Sequence, residues 1–276
     1  MVAIAPGLRS CHNSRVNDSN NMPTLADAVE QGRLTVSVDG FGFRGEGWVR
    51  LDDGWLSVPG ALPGERIVVD VERPRSPHQR RIWGHVVEVL QASPRRADPR
   101  CSRFPDCRGC QLRHIPVMDE LAFKADTIAE CVEKFAGLPA ADQPPIETIS
   151  SPGASRADSY RVRTRLTVRY EDGAWAVGLI AGDHVIDMVV CPALSDSTRR
   201  AVARFEAALE KFQPPSDALL HHARIAAPVH GHGYVELEVD RDDGFDELLA
   251  ELDELLPAGF GLAIIADGEP RRHVRG

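Results

Sequence analysis

The first third of the chain alternates apolar and polar residues in short stretches cut by glycine and proline. LTVSVD (34–39), GWVRL (47–51), GWLSV (54–58), ERIVVDVE (65–72) and RIWGHVVEVL (81–90) carry this pattern. A period of two marks strands with one buried face. Asp52-Asp53-Gly54 separates the second stretch from the third and predicts a tight hairpin, because glycine tolerates the positive φ such turns require. Five short strands in about sixty residues predict a small closed barrel of the oligonucleotide-binding kind. Gly40, Gly42 and Gly45 spell G-x-G-x-x-G, but a strand pattern follows them. A dinucleotide site needs a helix to begin there, so the glycines predict a turn.

Further on, the period lengthens. In PVMDELAFKADTIAECVEKFAGL (116–138), Val117, Leu121, Ala125, Ile128, Val132 and Phe135 recur every three or four residues. That spacing predicts a helix with one apolar face, started near Pro116 and ended by Gly137 and Pro139. Strands are expected at 160–170, 174–180 and 184–190, the last closed by Cys191. A helix is expected at 195–212, capped by Ser195 or Ser197. Two strands around Gly231-His232-Gly233, an acidic helix at 245–256 and a last strand at 261–267 complete a mixed α+β unit. The expected layout is a disordered tail over 1–30, the barrel over 31–92, a cysteine-rich connector over 93–115 and the α+β domain over 116–276.

Charge sharpens this layout. The formal net charge is −9, yet ten acids between Glu236 and Glu254 face only Arg241. Ten arginines lie between Arg73 and Arg113 against Glu88, Asp98 and Asp106. Local excess of this kind can bind phosphates whatever the total. Arg75 and Arg80 fall in a loop between strands, Arg81 opens the strand that follows, and Arg161, Arg163 and Arg165 alternate with Val162, Thr164 and Leu166. These six arginines are the candidate phosphate contacts. No apolar run is long enough to span a membrane, and nothing at the N-terminus reads as a secretion signal, so a cytoplasmic protein is expected.

Six cysteines occur: Cys11, Cys101, Cys107, Cys110, Cys131 and Cys191. Cys101, Cys107 and Cys110 form C-x5-C-x2-C, and Cys191 precedes Pro192. Thiolates bind both iron–sulfur clusters and zinc, and spacing alone does not separate the two. Cys131, bordering the apolar face of its helix, reads as a core cysteine.

These motifs in this order resemble the RNA (uracil-5-)-methyltransferases. GEGWVRLDDGWLSVPGALPGERIVVDV resembles the family's RNA-binding TRAM barrel. CSRFPDCRGCQLRHIPVMDELAFKADTI resembles its cluster segment, and Tyr160-Arg161 with IDMVVCPAL resembles its central domain. The resemblance implies a four-iron, four-sulfur cluster on Cys101, Cys107, Cys110 and Cys191, and a partner that is structured ribosomal or transfer RNA. Family enzymes use S-adenosylmethionine: a cysteine attacks C6 of uracil, C5 takes the methyl group, and a carboxylate helps remove the C5 proton. No glycine-rich cofactor loop or catalytic cysteine context is found here, and GLIAGDH (178–184) stands where the family often has a basic, aromatic stretch. The expectation is an RNA-binding, iron–sulfur front portion that does not methylate alone. The alternatives are half of a split enzyme, which would use S-adenosylmethionine through a separate methyltransferase domain, and a structural zinc protein.

Overall fold

A computed structural model describes residues 22–74, 76, 78–107, 109–149, 158–215, 219–228, 232–266 and 268–275, without the side chains of 271–275. Two compact units emerge, Met1–Arg100 with Cys110–Arg156, and Cys101–Gly109 with Ala157–Gly276.

Within the expected tail, helix α1 (Leu25–Gln31) opens the first unit. Thr24 caps it: its hydroxyl accepts from the Asp27 N–H at 3.1 Å, and the Asp27 carboxylate accepts from the Thr24 N–H at 2.9 Å. This reciprocal pair satisfies donors the first turn would leave bare. Gly32, at φ 68°, ends the helix.

Six strands follow: β1 (Arg33–Ser37), β2 (Gly40–Phe41), β3 (Glu46–Arg50), β4 (Trp55–Pro59), β5 (Arg66–Val71) and β6 (Arg81–Gln91). They pair in the order β1-β5-β6-β4-β3-β2, with β4 and β6 parallel and the other neighbours antiparallel. The ladders run from β1 to β2 without a β1–β2 pairing, so the expected closed barrel is not shown by strand pairing. The sheet's edges β1 and β2 are nevertheless one stretch of chain. The Val38 N–H donates to the Glu65 carbonyl at 2.9 Å, and the next N–H, of Asp39, donates to the Trp48 carbonyl at 2.9 Å. The alternating inward residues, among them Leu34, Val49, Leu56, Val58, Ile67, Val69 and Ile82, form the core with Ala28 of α1.

The connector is locked to this core. Glu65 is fully buried, and its carboxylate accepts from the N–H groups of Leu62 and Ser93 and from Arg96 at 2.5 and 2.6 Å. Burial alone would push this carboxyl up; Arg96 and the two amides outweigh it and hold it below its ordinary value. Helix α2 (Val117–Ala136) ends at Gly137 as expected, with Pro116 at its N-cap. Its apolar stripe is not a buried face: no residue of α2 is fully buried, and Ile128 and Phe135 are 51% and 73% exposed. Its ring contact in this unit is Phe123 against Phe41, centroids 4.1 Å apart.

The second unit is a seven-stranded sheet, built from β7 (Arg163–Glu171), β8 (Ala174–Ala181), β9 (His184–Asp187), β10 (Leu220–Ala226), β11 (Tyr234–Val239), β12 (Gly261–Ala266) and β13 (Glu269–Arg275). The order is β13-β12-β11-β10-β7-β8-β9, with β11 and β12 alone parallel among these pairs. Helices α3 (Asp196–Lys211) and α4 (Asp246–Leu255) cover one face, burying Ala201, Val202, Phe205 and Leu209 with Leu248, Leu249 and Leu252. Ser195 is the N-cap of α3, accepting from the Thr198 N–H at 3.2 Å. Strand β9 stops at Asp187, so Cys191 lies in the loop beyond it. Glu269–Arg275, which the alternation pattern left as a terminal segment, pairs with β12 as an edge strand.

Candidate functional site

Cysteine chemistry centres on the loop 101–110. Its turns are held by the Phe104 N–H to the Cys101 carbonyl at 3.1 Å and the Cys107 N–H to the Arg103 carbonyl at 2.8 Å. Gly109 packs closely there: a Cβ would lie 3.0 Å from Leu179 Cδ1 and 3.3 Å from the Cys107 sulfur, so those side chains would have to give by a few tenths of an ångström. Arg161 donates to the Gly109 carbonyl at 3.2 Å. Cys107 and Cys191 both pack against the core of the second unit. The Cys191 loop is pinned by its own N–H to the Met188 carbonyl and by the Leu194 N–H to the Cys191 carbonyl.

Cys101, Cys107, Cys110, Cys131 and Cys191 form no disulfide among the described residues and are half-buried; Cys11 lies outside the described residues. The donor type fits a thiophilic group, since the candidates are thiols and two of them, Cys107 and Cys191, are backed by apolar core. The arrangement does not complete the fit: among the described residues no three His, Cys, Asp or Glu side chains are gathered as a metal site. The expected four-cysteine cluster is therefore a set of suitable donors without an assembled cage. By contacts Cys110 belongs to the first unit, and Cys101, Cys107 and Cys191 to the second.

The candidate RNA arginines fare unequally. Arg75 lies outside the described residues. Arg80 is exposed, and its backbone carbonyl accepts from the Trp55 N–H at 3.0 Å. Arg81 is tied to Glu46 and donates to Ser57 Oγ at 2.7 Å, its guanidinium 4.5 Å from the centre of the Trp83 ring. Arg161 precedes β7 in a bridge with Leu194, and its side chain turns to the cysteine loop. Arg163 and Arg165 do share the exposed face of β7, opposite buried Leu166 and Val168. Arg165, however, grips Glu238 in a two-pronged pair, Nε to Oε1 at 3.2 Å and Nη2 to Oε2 at 2.5 Å. Arg224 reaches the same carboxylate at 2.7 Å. Arg163 has no carboxylate partner among the described residues.

Two features escaped the sequence pattern. One is the outward face of β3, β4 and β6, where register sets Arg50 beside Trp55 and Trp55 beside Arg81, then Trp48 beside Ser57 and Ser57 beside Trp83. The tryptophans alternate with apolar core positions in each strand, a signal that exists but is shared by any half-buried strand. The other is a cleft of about 510 Å³ in the second unit, walled by Tyr170, Trp175 and Phe212 and by Asp187, Glu206 and Glu210. Burial first, then the charges of Asp187 and Glu210, push the Glu206 carboxyl up to about 7.

No family model matches the sequence. Among known proteins, the chain is 32% identical over 223 residues to the 23S rRNA (uracil(1939)-C(5))-methyltransferase RlmD of Chromohalobacter salexigens, covering 79% of this chain and 44% of that protein. It is 26% identical over 197 residues to RlmD of Vibrio cholerae, covering 70% of this chain and 42% of the relative. An uncharacterized RNA methyltransferase of Streptococcus agalactiae is 27% identical over 241 residues, 83% of this chain and 52% of its own. The chain thus spans about half the length of the relatives it matches. No helix among the described residues is long and apolar enough to cross a membrane.

Proposed function

We propose, from the chain's relation to the RNA (uracil-5-)-methyltransferases, that it holds structured ribosomal or transfer RNA for methylation at uracil C5. The observation that carries this reading is the extent of the relation, which covers 70% to 83% of the chain in these three relatives. Methyl transfer needs a thiolate, the methyl group of S-adenosylmethionine and a base for the C5 proton at one point, and that joint positioning supplies much of the rate. In this reading the transfer belongs to residues outside the matched half, and these 276 residues alone do not methylate.

RNA would be met first by cations that no carboxylate already neutralises. Arg80 and Arg163 are the candidates of this kind among the described residues; Arg81, Arg161 and Arg165 would contribute only by leaving their present partners. Cys101, Cys107, Cys110 and Cys191 would hold a four-iron, four-sulfur cluster, with zinc as the alternative. Such a group supplies strong thiolate cross-links, and ligand binding of this sort contributes to folding. On this chain Arg161 and Gly109 hold the 101–110 loop against β8, which keeps Cys107 near the core that Cys191 also touches.

The test is direct. Binding to ribosomal RNA should weaken steeply with added salt, and Arg163→Glu should lower affinity and flatten that slope. Salt-independent binding, or none, would overturn the reading. Labelled S-adenosylmethionine should leave no methyl on RNA with this chain alone. Iron and acid-labile sulfide in anaerobically purified protein separate the cluster from zinc, and Cys107→Ser or Cys191→Ser should remove both.

A further inference from the structure

The cleft of about 510 Å³ in the second unit has an aromatic wall that is fixed in place. Pairing of β7 with β8 sets Tyr170 beside Trp175, and the end of α3 brings Phe212 to them. Trp175 donates from Nε1 to the Phe212 carbonyl at 3.0 Å, and its ring stacks on that of Phe212, centroids 6.0 Å apart at 15°. The Tyr170 ring lies 4.9 Å from that of Trp175, and its hydroxyl donates to Gln213 Oε1 at 2.9 Å. Rings held in this way present a preformed surface, which spares a ligand the cost of ordering it.

The polar lining is all of one sign. Asp187 comes from the end of β9, and Glu206 and Glu210 come from α3. The two glutamates stand one turn apart, with Cβ atoms about 5–6 Å from each other, a spacing at which like charges destabilise a helix. No Lys, Arg or His pairs with Glu206, Glu210 or Asp187 among the described residues, and Lys211, the cation next to them in α3, is held by Glu251. Burial and the charges of Asp187 and Glu210 all oppose ionisation of Glu206, which pushes its carboxyl up to about 7. The last turn of α3 also lines the cleft, and a helix C-terminus favours positive charge. A small hard cation would need several oxygens around one point, and no such set of side chains is gathered among the described residues. Aromatic faces beside carboxylates suit an organic ammonium group instead.

We propose that this cleft binds an aliphatic di- or polyamine, with ammonium groups at Glu206, Glu210 and Asp187 and the methylene chain along Trp175 and Tyr170. Ammonium groups joined by three or four carbons are separated by about the spacing of the two glutamates. The volume of about 510 Å³ lies within the usual range for small-molecule sites, and a single lysine side chain would fill only part of it. The inference stands apart from the RNA-binding reading and does not depend on it.

The test is calorimetric titration of the full chain with spermidine at moderate salt, where attraction between exposed charges is screened. Spermidine should bind at one site per chain and shift the tryptophan emission, since Trp175 is the one tryptophan of the second unit. Glu206→Gln and Glu210→Gln should each weaken binding about tenfold, the loss expected when a hydrogen bond to a charged group is removed. Asp242→Asn removes the same charge from an exposed bend and should bind as the unmodified chain does. Absence of binding would overturn the proposal. Equal weakening in all three variants would show diffuse attraction to an acidic surface and would overturn it as well. Displacement of spermidine by magnesium at equal charge would show that the rings contribute nothing, with the same consequence. Tighter binding of tetralysine than of spermine would assign the cleft to the basic side chains of a protein and not to a free amine, again overturning the proposal.

Discussion

The two sheets treat their arginines differently. On the outward face of the first, Arg50 lies against the Trp55 ring, Arg81 is shared between the Trp83 ring and Glu46, and the deeper Arg96 fills the demand of one buried carboxylate. On the exposed face of the second, Arg165 and Arg224 converge on Glu238, with Glu236 3.6 Å from Arg224. At Arg50 the ring leaves the cation's charge available to an anion, whereas at Arg81, Arg165 and Arg224 a carboxylate cancels most of it. The lesson is that a run of arginines in a sequence predicts an anion-binding surface only after the cross-strand partners are counted.

Breaking the buried pair should have the largest effect. Arg96→Ala leaves Glu65 buried and unpaired, and should cost about 3–5 kcal/mol in denaturant unfolding. Because the folded carboxyl lies below its ordinary 4.5, this stabilisation is present above that value and disappears as pH falls through the folded one. A cost near zero would mean that the connector does not depend on this lock.

Glu206 offers the opposite sign in the second unit. Its folded value of about 7 stands above the ordinary 4.5, so the associated stability is complete below 4.5 and lost as pH rises through 7. Glu206→Gln should flatten that loss and leave the protein more stable than the unmodified chain at alkaline pH, by on the order of 1 kcal/mol after solvent screening. Thermal unfolding across this pH range checks it, and an unchanged profile would dissociate Glu206 from Asp187 and Glu210.

Freeing the second sheet's cations is a subtler change. Glu238→Gln releases Arg165 and Arg224, and should raise RNA affinity about twofold at low salt, with a steeper salt slope. Unchanged affinity would place that face away from the RNA. Smallest of all, Arg165→Leu should change stability by only about 0.5 kcal/mol, as exposed pairs do. A loss as large as that of Arg96→Ala would erase the contrast between the units.

Much of the element order was legible because alternation and capping are local. Ser195 before α3, Gly137 after α2 and the hairpin at 52–54 were all readable from a few neighbouring residues. Helix α1 was missed because seven residues hold too few turns to show a period, although Thr24 and Asp27 spell its cap. Strand β13 was missed because EPRRHVR shows no alternation and has only Pro270 and Val274 as apolar residues; it exists through pairing with β12. Whether the sheet closes was not legible, because it turns on long-range pairing through the Val38–Asp39 bend rather than on local alternation. Side-chain fates were least legible. Arg165 meets a carboxylate 73 positions away, and Trp55 gains Arg81 as its neighbour only through parallel pairing of β4 with β6. The cysteine spacing gave the donor set but not its assembly, since three of the thiols fall in one unit and Cys110 in the other.

The bend at Val38 and Asp39 also governs where this chain can tolerate changes in length. Two consecutive N–H groups there bond to opposite ends of the sheet, to Glu65 and to Trp48. One residue more or less between Ser37 and Gly40 would force either β1 or β2 out of step with its partner, and a one-residue slip turns every inward side chain outward. Length variation among relatives should therefore gather in connections such as 72–80, between β5 and β6, while the two-residue bend keeps its length as its side chains change.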